Sequence, residues 1–542
     1  MNPDAEASPN SAIAPADAVL LALLPGALAM LVCFGAGVFL NLVWSAPAAL
    51  LAETLARRAE RRPAQAIGAD RGSLLLATLL ALSLPPACPW WLAAGAAVFA
   101  VAVGRRLRGS EGRTLFNPAM LAYAALLVCF PREMARWPGP EGAGAALPMG
   151  PADALHAALG LGDAGALDGF TMATPLEVLR QDTSHTVAEL RAMYAQFGSV
   201  AGRGWEWANA GFLLGGLWLV RRGTIDWRAP AGMLLGLAVL ALTHDDGSSA
   251  SGGPVLFHLF GGGTLLAAFF ILTEPGSSPR YPRTRFMGGL GVGALAYLMR
   301  SQGEWTDGIA FAVLGMNAFM PFVERAWMRV TGDTSAETAV RHTPLRHLPD
   351  ALRVGMLLAL LTLDWQGTGG ARESKPSERA DALLGELKES GLTETSTFSV
   401  QDPALLGLPA PRPAWRLRAA SGSTAVVLPL RAHEGYGGPI DLLLAVDERG
   451  RVLALRVVTH TESPGFSDPL DAADRAWLQG FEGRGRADTR WSLRKEGGDI
   501  DGFTGATVTP RAVVAAVRSA LQYADEHRAE LFALPPPDTH GN

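Results

Sequence analysis

The sequence predicts a multi-span α-helical membrane domain, one further anchor helix, and a soluble α+β domain after it. Three observations point there. Apolar runs recur as far as about residue 325, and arginine clusters return after every second run. Beyond Gly367 the composition becomes that of an ordinary soluble domain, with short apolar strands and an amphipathic helix. A chain of 542 residues exceeds one compact domain, and its 49% hydrophobic content comes largely from the first part.

Residues 1–16 are polar, rich in small side chains and without Lys or Arg, which predicts a disordered tail rather than a secretory signal. From Val19 the chain is apolar through Leu50 and on to about Leu55. At roughly 1.5 Å per residue that is one span and most of a second. Arg57, Arg58, Arg61, Arg62 and Arg71 follow. Ser73 to Leu84 and Cys88 to Val103 are the third and fourth spans, divided by Pro85 and Pro86 and followed by Arg105, Arg106, Arg108 and Arg113. Leu115 to Phe130 is the fifth.

A long polar segment, residues 131–207, precedes Ala208 to Val220 and then Arg221, Arg222 and Arg228. Met233 to Thr243 and Val255 to Leu272 are separated by an acidic loop; Arg280, Arg283 and Arg285 come next. Phe286 to Met299 and Thr306 to Val323 complete ten spans, closed by Arg325, Arg329, Arg341 and Arg346. Assigning the arginine-rich loops to the cytoplasm puts the amino terminus inside and residues 131–207 on the outer face.

Ten spans divided by one long loop suggest two halves of five in inverted topology. The echoes are faint: Asn117 and Pro118 in the fifth span, Asn317 and Pro321 in the tenth, with Gly261, Gly262 and Gly263 loosening the eighth. Such breaks face a cavity or cofactor in some membrane helices and are ordinary in others. Domain boundaries follow: membrane domain 17–325, cytoplasmic linker 326–350, anchor helix 351–365, and periplasmic domain 366–542. The uncharged core of the anchor, Val354 to Leu363, is short for a span and equally suits an interfacial helix, unless Arg346 and Arg353 snorkel. Only a crossing puts the last domain outside.

In that domain, Ser377 to Ser390 has helical spacing. Ser423 to Leu430, Ile440 to Asp447 and Val452 to Thr459 read as an antiparallel meander. Pro510 to His527 is an amphipathic helix. Cys33, Cys88 and Cys129 have no metal-ligand spacing and read as small buried hydrophobes. A net charge of −5 spread over both signs leaves no nucleic-acid footprint.

One stretch occurs twice. Asp168 to Thr174 reads DGFTMAT and Asp501 to Thr507 reads DGFTGAT, alike at six of seven positions. Taken singly, such a heptad is a turn. Its repetition, with Thr closing both copies after a small Ala and a hydroxyl at Thr171 or Thr504, suits a modification site, because small neighbours leave the last hydroxyl approachable for a phosphoester. The second copy leads into a helix amino terminus, where spare N–H groups favour a phosphate. HTESPGFSD, from His460 to Asp468, reads as a turn whose Gly465 would allow a flat ring to approach.

The heptads resemble the flavinylation motif at which a flavin transferase attaches FMN through its phosphate to the last Thr. Met172, which is not small, departs from it. GRTLFNPAM (Gly112 to Met120), DGFTMATPL, FHLFGGGTLLAAFFILTEP (Phe257 to Pro275) and DGIAFAVLGMNAFMP (Asp307 to Pro321) resemble the D subunit of the Rnf electron-transport complex. They are similar also to the B subunit of the sodium-translocating NADH:quinone oxidoreductase. HTESPGF and WSLRKEGGDIDGFTGATVT resemble the Rnf G subunit, an anchored FMN-binding domain, so two subunits look fused here.

The resemblance implies FMN esterified to Thr174 and to Thr507. Asp168, Thr171, Asp501, Thr504, Gly505 and Ala506 would frame the motifs, with Glu462, Pro464 and Gly465 beside the second ring; a noncovalent riboflavin is also compatible. It implies electron transfer between ferredoxin-side and NAD-side partners coupled to Na+ or H+ movement. The partners would be other Rnf subunits, membrane and iron-sulfur, besides the transferase and membrane lipid, all at a bacterial inner membrane. No residue is needed as nucleophile or general base. Asp307 and Glu274, acidic groups at span ends, are ion-pathway candidates, with simple solvation as the alternative. The rival readings are a quinone-reducing relative and an inverted-repeat solute channel whose heptads are plain turns.

Overall fold

The computed structural model describes residues 14–61, 70–108, 113–140, 149–161, 171–181, 186–194, 196–245, 253–302, 307–331, 352, 376–389, 391–419, 422–433, 435, 439–460, 470, 476–494, 497–502 and 508–532. They divide into two compact units, one of membrane-type helices and one within Arg372–Asn542.

In the first unit, α1 (Pro15–Phe34) and α2 (Gly37–Ala59) are each long and apolar enough to cross a membrane, as is the stretch Ile309–Val330. α3 (Arg71–Ser83) is shorter. α4 (Trp90–Phe99) passes into a π-helical turn, Ala100–Gly104, before α5 (Pro118–Cys129). Among the described residues of the polar segment are four short helices: α6 (Pro131–Met134), α7 (Pro151–Leu159), α8 (Pro175–Gln181) and α9 (Val187–Met193). α10 (Trp205–Arg221) and α11 (Arg228–His244) come next. The eighth run is broken into α12 (Val255–Phe260), α13 (Thr264–Leu266) and a π-helical stretch, Ala267–Ile271. α14 (Pro282–Ser301) and α15 (Ile309–Thr331) close the unit.

Glycines set the closest helix pairs. α10 lies on α1 where Gly211 and Gly215 face Ala22, Pro25 and Gly26. α11 lies on α14 where Gly232 and Gly236 face the backbone of Phe286 and Leu290, and Gly289 and Gly293 face that of Ala229 and Met233. Each pair is a G-x-x-x-G stripe, which lets backbones approach in lipid where no hydrophobic force drives helices together. Leu24, Leu28, Val32, Leu214, Leu217 and Leu242 point outward and exposed, as a lipid-facing surface requires.

Two helix breaks are pinned by buried asparagines. Asn41 Nδ2 donates to Pro85 O at 3.0 Å and to Leu84 O at 3.4 Å. Asn209 Nδ2 donates to Phe260 O at 2.9 Å and Gly262 O at 2.8 Å, and its Oδ1 accepts Leu265 N–H at 3.0 Å. The expected loosening at Gly261–Gly263 is thus present. The two prolines behave otherwise: Pro118 stands at the first position of α5, where a missing N–H costs nothing, and Pro321 lies inside the continuous α15. α15 also runs to Thr331, into the expected linker, because Ala326 to Val330 keep the apolar pattern. Cys88 is buried but Cys129, at the end of α5, is exposed. The expected anchor falls outside the described residues except Leu352.

The second unit is a five-stranded antiparallel meander in order β1 (Leu392–Val400), β2 (Arg412–Ala419), β3 (Thr424–Ala432), β4 (Ile440–Asp447) and β5 (Val452–Thr459). α16 (Pro376–Glu389) packs on one face through Leu383 and Leu387, against Val427, Leu443, Ala445 and Val458. The pleat sends Val426, Leu428, Leu442 and Leu444 to the other face, all buried, and α18 (Val508–Glu526) packs on β3 and β4. A short helix, α17 (Ala476–Gln479), precedes it, and α19 (Arg528–Leu531) follows. Sequence patterning missed β1 and β2. LTETSTFSV is polar and mostly exposed at the sheet edge, and RPAWRLRA carries a proline and three arginines.

Candidate functional site

Of the first heptad, Thr171 to Thr174 are described. Thr171 bridges Pro138 in antiparallel fashion, and Met172 N–H donates to Trp137 O at 3.0 Å, so the described end of the heptad is held beside residues 137 and 138. Ala173 is buried and Thr174 half-buried. Thr174 then starts α8: its Oγ1 accepts Glu177 N–H at 3.3 Å, while the Glu177 carboxylate accepts Thr174 N–H at 3.4 Å. This reciprocal pair is a capping box, and its signal, Thr-Pro-Leu-Glu, was legible in the sequence but not used there.

Beside the heptad stands an aromatic group. Trp137 and Trp205 have ring centroids 4.8 Å apart, and Phe34, at the end of α1, is 4.9 Å from Trp205 and 6.2 Å from Trp137. Gly202 separates α8 from α10: a Cβ there would lie 2.5 Å from Pro175 Cγ and 3.0 Å from Trp205 Cδ1. The loop before α10 is fixed by Glu206, which accepts Val200 N–H at 3.1 Å and Ala201 N–H at 3.4 Å.

The next residue of α8, Leu176, lies over the broken eighth run. Gly262 has φ +53°, and a side chain there would meet both Leu176 and the Asp307 carboxylate. Asp307 accepts Gly263 N–H at 2.8 Å and pairs with Arg300 at 2.8 Å. Arg300 in turn donates to His258 O at 2.9 Å and Thr264 Oγ1 at 2.9 Å. Sequence reasoning named Asp307 but missed Arg300, which was hidden by its position at the polar end of an apolar run. The structure therefore brings Thr174 and Asp307 into one neighbourhood, bridged by Leu176. Glu274 sits in a separate turn, accepting Ser277 N–H and Ser277 Oγ–H, each at 2.8 Å.

Of the second heptad, Asp501 and Gly502 are described and exposed; Thr504, Gly505, Ala506 and Thr507 lie outside the described residues, as do Glu462, Pro464 and Gly465, and Asp168 of the first copy. Asp501 pairs with Arg494 at 3.0 Å, and its carbonyl accepts Trp477 Nε1–H at 2.6 Å. Upstream, Arg490 and Asp499 form a double contact, Nη2 at 2.8 Å and Nε at 3.2 Å, with Arg490 N–H also donated to Asp499 at 2.8 Å. The side-chain bonds from Arg490 hold Asp499 below the usual carboxylate range. Arg484, Arg490 and Arg494 line an open cavity of about 520 Å³ with Gly497, Gly498 and Asp499. Val508 opens α18, so Thr507 directly precedes a 19-residue helix as Thr174 precedes α8.

The residues around Thr174 fit an esterified flavin nucleotide: a half-buried hydroxyl at a helix start, next to a methyl side chain, with two indoles alongside. Comparison with known proteins agrees with both units. The profile of the NQR2, RnfD, RnfE family matches residues 10–331, and that of the FMN-binding domain matches residues 435–522. The chain is 47% identical over 307 residues to the D subunit of the ion-translocating oxidoreductase complex of Pseudomonas paraeruginosa, covering 56% of this chain and 87% of that protein. With the D subunit of the corresponding complex of Cellvibrio japonicus it shares 40% identity over 315 residues, covering 56% and 86%. The chain thus belongs to the NQR2, RnfD, RnfE family, with an FMN-binding domain following the family's membrane region.

Proposed function

We propose that this chain is a membrane electron-transfer subunit of an Rnf-type ion-translocating oxidoreductase complex. In this reading it carries two FMN groups as phosphoesters of Thr174 and Thr507, and combines in one polypeptide the roles of the D and G subunits. One observation carries it: the same heptad occurs once inside each matched region, and in both copies its closing threonine directly precedes a helix. FMN supplies one- and two-electron redox chemistry when bound; the protein holds its phosphate, orients its ring and tunes its surroundings.

The chain's own residues then have definite tasks. Thr174 and Thr507 provide the tethers; at α8 Pro175 has no N–H and the Glu177 and Val178 N–H groups are bonded to Thr174, so support for a phosphate by a helix start is expected at Thr507. Leu176 joins the first tether to the break at Gly261–Gly263, where Asp307 and Arg300 meet. That proximity supports coupling between electron transfer and Na+ or H+ movement, with Asp307 and Glu274 as pathway candidates. Two inverted halves of five spans, divided by residues 131–207, belong to this reading on the span count alone. With the arginine-rich ends at the cytoplasm the first flavin stands on the periplasmic side of the inner membrane, and a crossing by residues 351–365 brings the second to the same side. Iron-sulfur subunits deliver and take the electrons, and a flavin transferase makes both esters.

The test is denaturing gel fluorescence and intact mass of the chain made in a host with that transferase. Two flavin nucleotides are expected, with Thr174→Ala and Thr507→Ala each losing one; retention of both by either variant overturns the assignment. A reporter after Asn542 that works only in the cytoplasm would overturn the periplasmic placement.

A further inference from the structure

We propose that the indoles of Trp137 and Trp205 form the stacking platform for the flavin ring carried on Thr174. The inference rests on the reading that Thr174 bears FMN.

Three observations carry it. The first heptad is held against Trp137 by backbone pairing, through Met172 N–H to Trp137 O at 3.0 Å and the Thr171–Pro138 bridge. Pro175, next to Thr174, shares the Gly202 gap with the Trp205 ring, since no side chain separates them. The two indoles lie 4.8 Å apart and tilted by 57°, and both are only half-buried, whereas Phe34 behind them is 1% exposed. Phe34 is buried in the helical core, and the two indoles pack against that core while each keeps part of its surface exposed.

The chemistry fits. An indole is broad, flat and electron-rich, and it stacks on an electron-poor heteroaromatic ring with little loss of rotamer freedom. A flavin tethered only through its phosphate would otherwise sweep the reach of its ribityl chain. Electron transfer to a fixed partner needs the ring held. Trp205 opens α10, and the loop leading to it is braced by Glu206, which fixes that indole in place.

Contact with indole quenches flavin fluorescence, which supplies a readout independent of activity. The full chain, flavinylated in the cell and carrying Thr507→Ala so that a single flavin remains, is compared with the same chain carrying Trp137→Phe, Trp205→Phe or both. Phenylalanine keeps the packing but quenches weakly. The expected result is that native fluorescence per flavin rises several-fold in the double variant and partly in each single one, while all four proteins become equally bright on denaturation. Equal native fluorescence in all four overturns the platform and leaves the tether standing. A Thr507→Ala chain without flavin overturns the tether, and the platform with it.

Discussion

Arg300 Nη2 lies 2.8 Å from Asp307 Oδ1, and the arginine side chain is 1% exposed. Beyond Asp307 its guanidinium bonds His258 O, Gly261 O and Thr264 Oγ1, so one cation gathers both ends of a broken helix. Removing Arg300 takes away its bonds to both ends of the break and leaves Asp307, whose side chain is 28% exposed, without a counter-charge. Arg300→Met should lower the thermal midpoint in detergent sharply. Asp307→Asn keeps an acceptor for Gly263 N–H and should cost less. In the double variant part of the loss should return. A midpoint unchanged in Arg300→Met would mean that the pair does not hold the break.

Thr174 and Glu177 give a second test. Each satisfies the other's backbone N–H, and caps of this kind contribute about 0.5–2 kcal/mol. Glu177→Ala should fray α8 while leaving Ala173 and Thr174 in place, and Glu177→Gln should restore most of the order. Proteolysis of the 171–181 segment, followed by mass spectrometry, distinguishes them: faster cleavage is expected in the alanine variant alone. Cleavage as fast in the glutamine variant would show that charge, and not the hydrogen bond, matters.

How much of this was visible beforehand depends on what kind of force makes each feature. The helices could be read because burial in lipid demands long apolar runs, and Gly261–Gly263 announced their break because three glycines cannot hold a helix against a neighbour. Thr174 and Thr507 were singled out as candidates by repetition. Trp137 and Trp205 were not, since their approach depends on a loop 68 residues away in sequence folding back through Gly202. Arg300 escaped for a similar reason: its partners come from the preceding broken run and from the start of the next helix. The edge strand Leu392–Val400 has no apolar alternation to betray it, being stabilised by pairing with Arg412–Ala419 rather than by a buried face.

Arg490 and Asp499 make a pH prediction. Hydrogen bonds from Arg490 keep the Asp499 carboxyl below its ordinary value of 3.8. A depressed folded pKa contributes stability above the unfolded value, and that contribution is lost as pH falls through the folded one. The loop from Arg490 to Asp499 should therefore stay closed down to about pH 4 and open below it. Pepsin, which cuts near Trp491 and Leu493, should be slow there at about pH 5 and faster in more acid solution. In Asp499→Asn cleavage should already be fast at the higher pH. If the wild-type loop is cut equally at both, relative to a denatured control, the contact does not close it.

Gly293 and Gly95 predict opposite outcomes for the same substitution. A Cβ on Gly293 would run into the Met233 carbonyl of the facing helix, a backbone atom that cannot turn aside. Alanine there must push α14 off α11, and overpacking of this kind costs about 1–3 kcal/mol. Gly95, inside α4 and exposed, has no atom within 4 Å of where a Cβ would stand. Alanine at that position only removes backbone freedom from the unfolded chain, which stabilises a helix by about 0.5–1 kcal/mol. Thermal midpoints in one detergent should therefore move down for Gly293→Ala and hold or rise for Gly95→Ala. The comparison isolates helix approach from helix propensity, because both sites lose the same glycine and gain the same methyl group. A fall of equal size at both would mean that the glycine stripes are not what brings α11 and α14 together.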